Sequence, residues 1–173
     1  PITLRLAEGD RIGITGPNGS GKSVFVQTIL GLIRPLSGKL SWQSGHKIGF
    51  VPQFHEVNRI MPITVKEILS AACHDPAQAL TPKIDMWQIQ KLLSRSFHEL
   101  SGGQKQKVLI TRMLLLQADI LIMDEPTNHM DAKSRGIFWQ WLQAHPVKVI
   151  VMVEHDVSRL EGFISRSLDF GDN

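Results

Sequence analysis

The sequence contains no tyrosine, a single cysteine and no long hydrophobic run in its 173 residues. Cys73 has no second cysteine to pair with, which excludes an internal disulfide or a zinc site with several cysteines and fits a reducing compartment such as the cytoplasm. The longest apolar runs, such as VKVIVMV, are too short to span a bilayer, and no targeting segment opens the chain. We therefore expect a cytoplasmic protein whose membrane association, if it has any, is peripheral.

Strong charge and internal repetition are also absent. The formal net charge is +3, and the lysines and arginines are scattered, so we expect no nucleic-acid partner. No repeat, low-complexity tract or linker divides the chain. The length and the 42% hydrophobic content fit one globular domain over residues 1–173.

Short β-branched runs alternate with segments of helix length. The predicted strands are ITLRL, RIGIT, KLSW, KIGFV, ILIM and VKVIVMV, with a last helix after the final strand. This alternation predicts an α/β fold with a mainly parallel sheet.

The middle of the chain lacks strand patterns. Two helices are predicted there, ITVKEILSAAC and a second that Thr81 and Pro82 open as N-cap and first helical residue. We expect a helical subdomain over about residues 60–100, inserted into the α/β core.

The segment GPNGSGKS follows the strand RIGIT, precedes a predicted helix and matches the pattern G-x-x-x-x-G-K-[S/T]. Its glycines let backbone N–H groups turn towards a phosphate chain, and the helix N-terminus adds positive potential. Lys22 would reach the β- and γ-phosphates, and the Ser23 hydroxyl would ligate Mg²⁺. The alternative is a flexible turn that ends in a helix cap. The predicted nucleotide-binding residues are Gly16, Pro17, Asn18, Gly19, Ser20, Gly21, Lys22 and Ser23.

Two acids end the apolar run ILIMDEP. A buried parallel strand would place Asp124 and Glu125 at the carboxyl edge of the sheet, where the glycine-rich loop also opens. Asp124 is a predicted Mg²⁺ ligand, and Glu125 is predicted to orient or deprotonate an attacking water. Taken alone, two such acids more often lie in a solvated turn, but the upstream loop favours the catalytic interpretation.

The motif LSGGQ precedes the predicted helix QKQKVLITRMLLLQ. Ser101 and Gln104 have the spacing of a capping box, which is a sufficient structural explanation for both. A cap needs neither Gly102 nor Gly103, and two glycines at a helix start indicate close approach of an anion. Because the first loop already serves one nucleotide, the second motif implies a second ATP.

Together these motifs resemble the ATP-binding cassette of ABC proteins. GPNGSGKS, FVPQ, LSGGQ, ILIMDEP, NHMD and EHD occur in the family's order and cover nearly the whole chain. The resemblance implies a P-loop NTPase core with a helical subdomain and ATP hydrolysis with Mg²⁺. It also implies a homodimer in which the signature residues of one copy close on the nucleotide held by the other. Those residues are Ser101, Gly102, Gly103 and Gln104.

The resemblance also implies roles for three residues outside the two glycine motifs. Gln53 would ligate Mg²⁺, lie near the attacking water and sense a transporter partner. His155 would contact the γ-phosphate and hold the transition-state geometry. Asp131 would act across the dimer interface.

One expected feature of the family is missing. Its members usually stack adenine on an aromatic residue well before the P-loop, but only 15 residues precede Gly16 and the chain has no tyrosine. We therefore expect the N-terminal antiparallel β subdomain to be truncated.

The resemblance implies the ATPase subunit of a transporter, working with separate transmembrane permease subunits at the cytoplasmic face of the membrane. GLIRPLSGKL, KIGFVPQ and MPITVKEIL are similar to cassettes of zinc and manganese importers. DEPTNHMD and VEHD are instead similar to tandem ATPases that act on ribosomes. The alternatives are therefore a soluble, non-transport ATPase and a slowly hydrolysing nucleotide switch.

Overall fold

The computed structural model describes residues 2–53, 63–73, 87–145, 147–155, 158 and 160–171. Two short 3₁₀ turns, Gln90–Leu92 and Phe97–Glu99, lie before the third helix. The helix predicted to open at Thr81 lies outside the described residues. In chain order, the elements are β1 Arg11–Thr15, α1 Lys22–Ile29, β2 Ile48–Val51, α2 Val65–Ser70, α3 Gly102–Leu115, β3 Ile120–Asp124, α4 Ala132–Ala144, β4 Val149–Val153 and β5 Arg166–Asp169.

The chain divides into two compact units. The first comprises residues 1–53, 119–126 and 147–173, and the second comprises residues 54–118 and 127–146. The single domain and its helical segment at about residues 60–100 stay predictions.

The first unit contains a five-stranded sheet in the order β2-β3-β4-β1-β5. All four ladders are parallel, with Ile122 opposite Val151 in the β3–β4 pair. Strands β3 and β4 are buried along their whole length, as expected for continuous apolar runs within a parallel sheet. Helix α1 packs Val26 and Ile29 against this core. The predicted α/β fold with a parallel sheet is confirmed.

The carboxyl ends of four strands carry the predicted catalytic and phosphate-binding residues of this unit. The glycine-rich loop follows β1, and Gln53 follows β2. Asp124 ends β3 with Glu125 directly after it, and His155 follows β4. In a parallel sheet these ends lie at one edge, the usual place for ligands in open α/β sheets.

The predicted strands ITLRL and KLSW are absent, since residues 2–6 and 39–42 form no ladder in the structure. Both segments still contribute apolar side chains to the fold, because Leu6 and Trp42 pack against the core of the sheet. A strand needs a partner backbone as well as an apolar pattern, and neither segment pairs with any of the five strands of the sheet.

The last helix predicted after β4 lies partly outside the described residues, of which Ser158 is in a 3₁₀ helix. Residues 160–163 form a turn, and Gly162 has a φ of +72°, a left-handed conformation that ends helices. The strand that follows, β5, was not predicted. Its sequence RSLD is short and mostly exposed, so it lacks the apolar signal of a buried strand.

In the second unit, α2 packs against α3. Helix α2 lies within the predicted segment ITVKEILSAAC and begins at a capping box between Thr64 and Glu67. The hydrogen bonds from the Thr64 hydroxyl and backbone N–H lower the pKa of Glu67. None of the helices in the described ranges is both long and apolar enough to cross a membrane.

Candidate nucleotide site

The glycine-rich loop connects β1 to α1 through backbone conformations that favour glycine. Gly16, Gly19 and Gly21 have φ values of 138°, 80° and 95°. At Gly16 a side chain is also excluded by space, because an added Cβ would lie 2.9 Å from the backbone of Phe170. The loop therefore requires glycine for its own geometry.

Lys22 lies almost completely buried under this loop. Its Nζ donates hydrogen bonds to the carbonyl oxygens of Gly16 (2.8 Å) and Pro17 (2.6 Å). The hydroxyl of Ser20 is buried and has no hydrogen-bond partner among the residues that the structure describes. A phosphate chain would fit here, because it would meet a fixed ammonium, a helix N-terminus and a buried hydroxyl that needs a partner.

The three predicted Mg²⁺ ligands offer oxygen atoms of the kind that this ion prefers. Ser23 supplies a hydroxyl, Gln53 an amide oxygen and Asp124 a carboxylate that is 3% exposed. The donor set therefore fits Mg²⁺.

The structure brings three predicted catalytic residues together. The buried carboxylate of Glu125 accepts a hydrogen bond from Gln53 Nε2 at 2.8 Å on one oxygen. Its other oxygen lies 2.6 Å from His155 Nε2. An amide nitrogen does not ligate Mg²⁺, so the amide oxygen is the atom with which Gln53 would hold the ion.

Glu125 also has an unusual backbone. Its φ is +50°, and its N–H donates to the carbonyl of Val153 at 3.0 Å in the neighbouring strand. Strained backbone of this kind persists where the surroundings hold it and is common at functional sites. The strand pairing and the two side-chain partners thus fix the position of this carboxylate.

Sequence reasoning assigned no role to Glu154, which is 1% exposed. It directly follows β4, and its N–H donates to the Ile14 carbonyl at 3.2 Å. The same signal that identified Asp124, an acidic residue at the end of a buried apolar run, was present here.

The signature turn lies in the second unit, where Ser101 is the N-cap of α3. The Ser101 hydroxyl accepts from the Gln104 N–H at 3.3 Å, and Gln104 Oε1 accepts from the Ser101 N–H at 3.0 Å. This is the capping box that the spacing predicted.

The two glycines of this turn differ in their surroundings. A Cβ on Gly103 would lie 2.6 Å from the carbonyl oxygen of His129, so packing within the chain already requires glycine there. A Cβ on Gly102 would make only ordinary contacts of 3.6 Å with the His129 side chain. Packing within the described residues therefore does not explain the glycine at position 102.

Asp131 is the N-cap of α4. Its carboxylate accepts hydrogen bonds from the Ser134 N–H and hydroxyl, both at 2.8 Å, and from Lys107 Nζ at 3.1 Å. The bond from the Ser134 backbone, followed by those from its hydroxyl and from Lys107, holds the pKa of Asp131 well below its usual value. Asp131 thus connects α4 to α3. Its role across a dimer interface stays a prediction.

Comparisons with known proteins agree with these motifs. The family model described as ABC transporter matches residues 1–128. The zinc import ATP-binding protein ZnuC of Vibrio cholerae is 37% identical over 161 residues, covering 90% of this chain and 61% of that protein. The chain thus spans about three fifths of the length of the zinc import relatives that it matches.

Two solved structures represent different classes of cassette. The dimeric bacterial ABC transporter cassette MJ0796 is 26% identical, with a TM-score of 0.80, 97% of this chain covered and 84% of that one. The same cassette is also known with ADP and Pi. The archaeal ribosome recycling factor aABCE1, in complex with ribosomal stalk protein aP1, is 32% identical, with a TM-score of 0.78, over 94% of this chain and 32% of that one.

Proposed function

Because this chain belongs to the ABC transporter family, we propose that it binds and hydrolyses ATP as a pair of identical copies. The observation that carries this proposal is the buried Glu125 carboxylate held between Gln53 and His155. Such an arrangement suits a group that orients a water for in-line attack on a phosphate.

Each predicted residue has a task in this reaction. The loop amides and Lys22 hold the phosphates, and Ser23, Gln53 and Asp124 would hold Mg²⁺, which supplies charge neutralisation when bound. Glu125 orients the attacking water and accepts its proton, while His155 keeps the carboxylate in place. Ser101, Gly102, Gly103 and Gln104 of the second copy close over the γ-phosphate, and Asp131 lies at the same interface.

We propose further that hydrolysis energises import of zinc through separate permease subunits, with this chain bound peripherally at the cytoplasmic face. Support comes from the several zinc import proteins that are 34–37% identical over about 90% of the chain.

A second candidate function is a non-transport ATPase that acts on ribosomes. The 32% identity to an archaeal ribosome recycling factor favours it, as do the motifs DEPTNHMD and VEHD.

Affinity purification of the protein from its own cells separates the two candidates. Membrane permease subunits in the eluate and ATP turnover by the complex support the transport proposal. Ribosomes in the eluate and no permease would replace it with the second candidate. Absence of ATP turnover in any preparation would contradict both.

A further inference from the structure

A small cavity within the second unit is lined mostly by polar side chains. Its volume is about 150 Å³, whereas a single buried water needs only about 10–15 Å³. The cavity therefore has room for several waters or for one polyatomic ion. The polar residues of its wall lie before the signature turn, on α3 and at the start of α4, and they are Trp87, Gln88, Lys107, Asp131, Lys133 and Ser134.

The indole N–H of Trp87 is the observation that points to a ligand. Trp87 is 3% exposed, and its Nε1 is buried with no hydrogen-bond partner in the described ranges. An indole N–H can only donate, and a buried donor that lacks an acceptor lowers stability. Such groups in folded proteins normally bind a protein atom, a water or an ion. Because Trp87 forms part of the cavity wall, an acceptor inside the cavity would supply the missing partner.

The charges of the wall favour an anion as that acceptor. Lys107 Nζ pairs with Asp131 Oδ2 at 3.1 Å, so these two charges offset each other. Lys133 is exposed and gives the wall a surplus positive charge. A lysine ammonium carries three donor hydrogens and no acceptor. Lys107 therefore has donors left for an anion while it remains paired with Asp131.

The carboxylate of Asp131 does not compete for these donors. It already accepts hydrogen bonds from the Ser134 N–H, the Ser134 hydroxyl and Lys107 Nζ. These bonds offset its negative charge, and they also occupy the Ser134 N–H at the start of α4. The donors that remain for a ligand are thus side-chain groups, those of Trp87, Lys107 and Lys133.

We propose that this cavity binds a small oxyanion, such as inorganic phosphate, which accepts hydrogen bonds from Trp87 Nε1 and from the ammonium groups of Lys107 and Lys133. All of these residues belong to the second unit, and none belongs to the glycine-rich loop. The inference goes beyond the proposed function and does not depend on it, because it requires neither ATP nor a second copy.

Crystals soaked in selenate locate such an anion directly, because selenium scatters anomalously at its absorption edge. We expect an anomalous peak in the cavity, with selenate oxygens within hydrogen-bond distance of Trp87 Nε1 and Lys133 Nζ. A water bound to Trp87 Nε1 in place of selenate, or an empty cavity, would overturn the inference.

Calorimetric titration with inorganic phosphate, at matched ionic strength, measures the affinity in solution. Every protein in this series carries Lys22→Ala, so that the glycine-rich loop does not contribute. Trp87→Phe removes the N–H but keeps an aromatic ring, and we expect the dissociation constant to rise about tenfold, as for loss of a hydrogen bond to a charged group. Lys133→Gln removes the surplus charge at an exposed position and should raise it about threefold.

Lys91→Gln is the matched control, because it removes another exposed lysine of the same unit. Its affinity for phosphate should equal that of the parent protein. Unfolding midpoints without phosphate show whether each variant is folded, and if Trp87→Phe does not fold, Lys133→Gln decides the outcome. No phosphate binding by the parent protein, or equal affinity in Lys133→Gln and Lys91→Gln, would overturn the inference and leave the proposed function intact.

Discussion

Glu125 is the residue on which the proposed chemistry depends, because both of its carboxylate oxygens have partners within the site. Glu125→Gln keeps the shape of the side chain but removes the base. We expect ATP turnover to fall at least 100-fold, the usual range for loss of a general base, with ATP affinity retained. Steady-state phosphate release measures the first effect and analogue binding the second. Glu161→Gln, an exposed glutamate of the same unit, should leave both unchanged. Turnover within a factor of three of wild type would mean that Glu125 is not the base.

Lys22 supports the loop as well as the proposed phosphate contact, because its ammonium is bound to two loop carbonyls. Lys22→Ala should therefore abolish measurable nucleotide binding in equilibrium titration. Lys39→Ala removes an exposed lysine of the same unit and serves as the control. Wild-type affinity in Lys22→Ala would place the triphosphate elsewhere.

At this scale the sequence predicted residues that the structure brings together, but it did not predict their contacts. The order of the motifs identified Gln53, Glu125 and His155 separately. Their direct contacts depend on strand register and side-chain conformation, which motif spacing does not specify. Glu154 received no role from the motifs, although it directly follows the buried strand β4.

The start of α3 allows a test that separates packing from ligand contact. Gly102→Ala adds a methyl group that the chain itself accommodates, so folding stability should be unchanged or slightly higher. If a nucleotide of the second copy approaches this turn closely, the same methyl group should reduce ATP turnover at least tenfold. Thermal unfolding and phosphate release measure the two effects.

Gly136→Ala is the matched control for this substitution. Gly136 lies inside α4 with open space around it, so the change should raise the free energy of unfolding by up to about 1 kcal/mol and leave turnover unaltered. Full activity in Gly102→Ala would contradict a close approach at the signature turn.

The N-cap of α4, Asp131, predicts that folding stability depends on pH in the acid range. The pKa of Asp131 is lowered in the folded state, so its contribution is present above its unfolded pKa, about 3.9, and is lost as the pH falls towards the folded value. Asp131→Asn removes this charge. Urea midpoints should therefore differ between wild type and variant at pH 7 and converge as the pH falls below about 4. Parallel curves over this range would show that the carboxylate charge of Asp131 does not stabilise the fold.

The elements were predictable where burial and pattern coincide. Strands β1, β3 and β4 are apolar runs in the sheet interior, and the spacing predicted the capping box at Ser101. ITLRL and KLSW failed because alternation does not reveal whether a partner strand is present. Strand β5 was missed because an exposed edge strand needs little apolar sequence.

At the scale of the whole molecule, the alternation of strands and helices was enough to predict a parallel α/β sheet. It was also enough to predict that the loop after β1 and the acids after β3 share its carboxyl edge. The signature turn belongs to a different compact unit from these residues. If the signature turn of each copy closes on the nucleotide bound by the other copy, both sets of residues act on ATP. This is the central claim.

The most direct test of that claim is sedimentation equilibrium of Glu125→Gln with and without ATP. We predict a monomer without nucleotide and a dimer of twice the mass with ATP and Mg²⁺, because bound nucleotide would join the copies and hydrolysis would not release them. Adding either Lys22→Ala or Gly102→Ala should return the protein to a monomer. The central claim would be contradicted by a chain that binds ATP yet stays monomeric, or that dimerises equally well with Gly102→Ala.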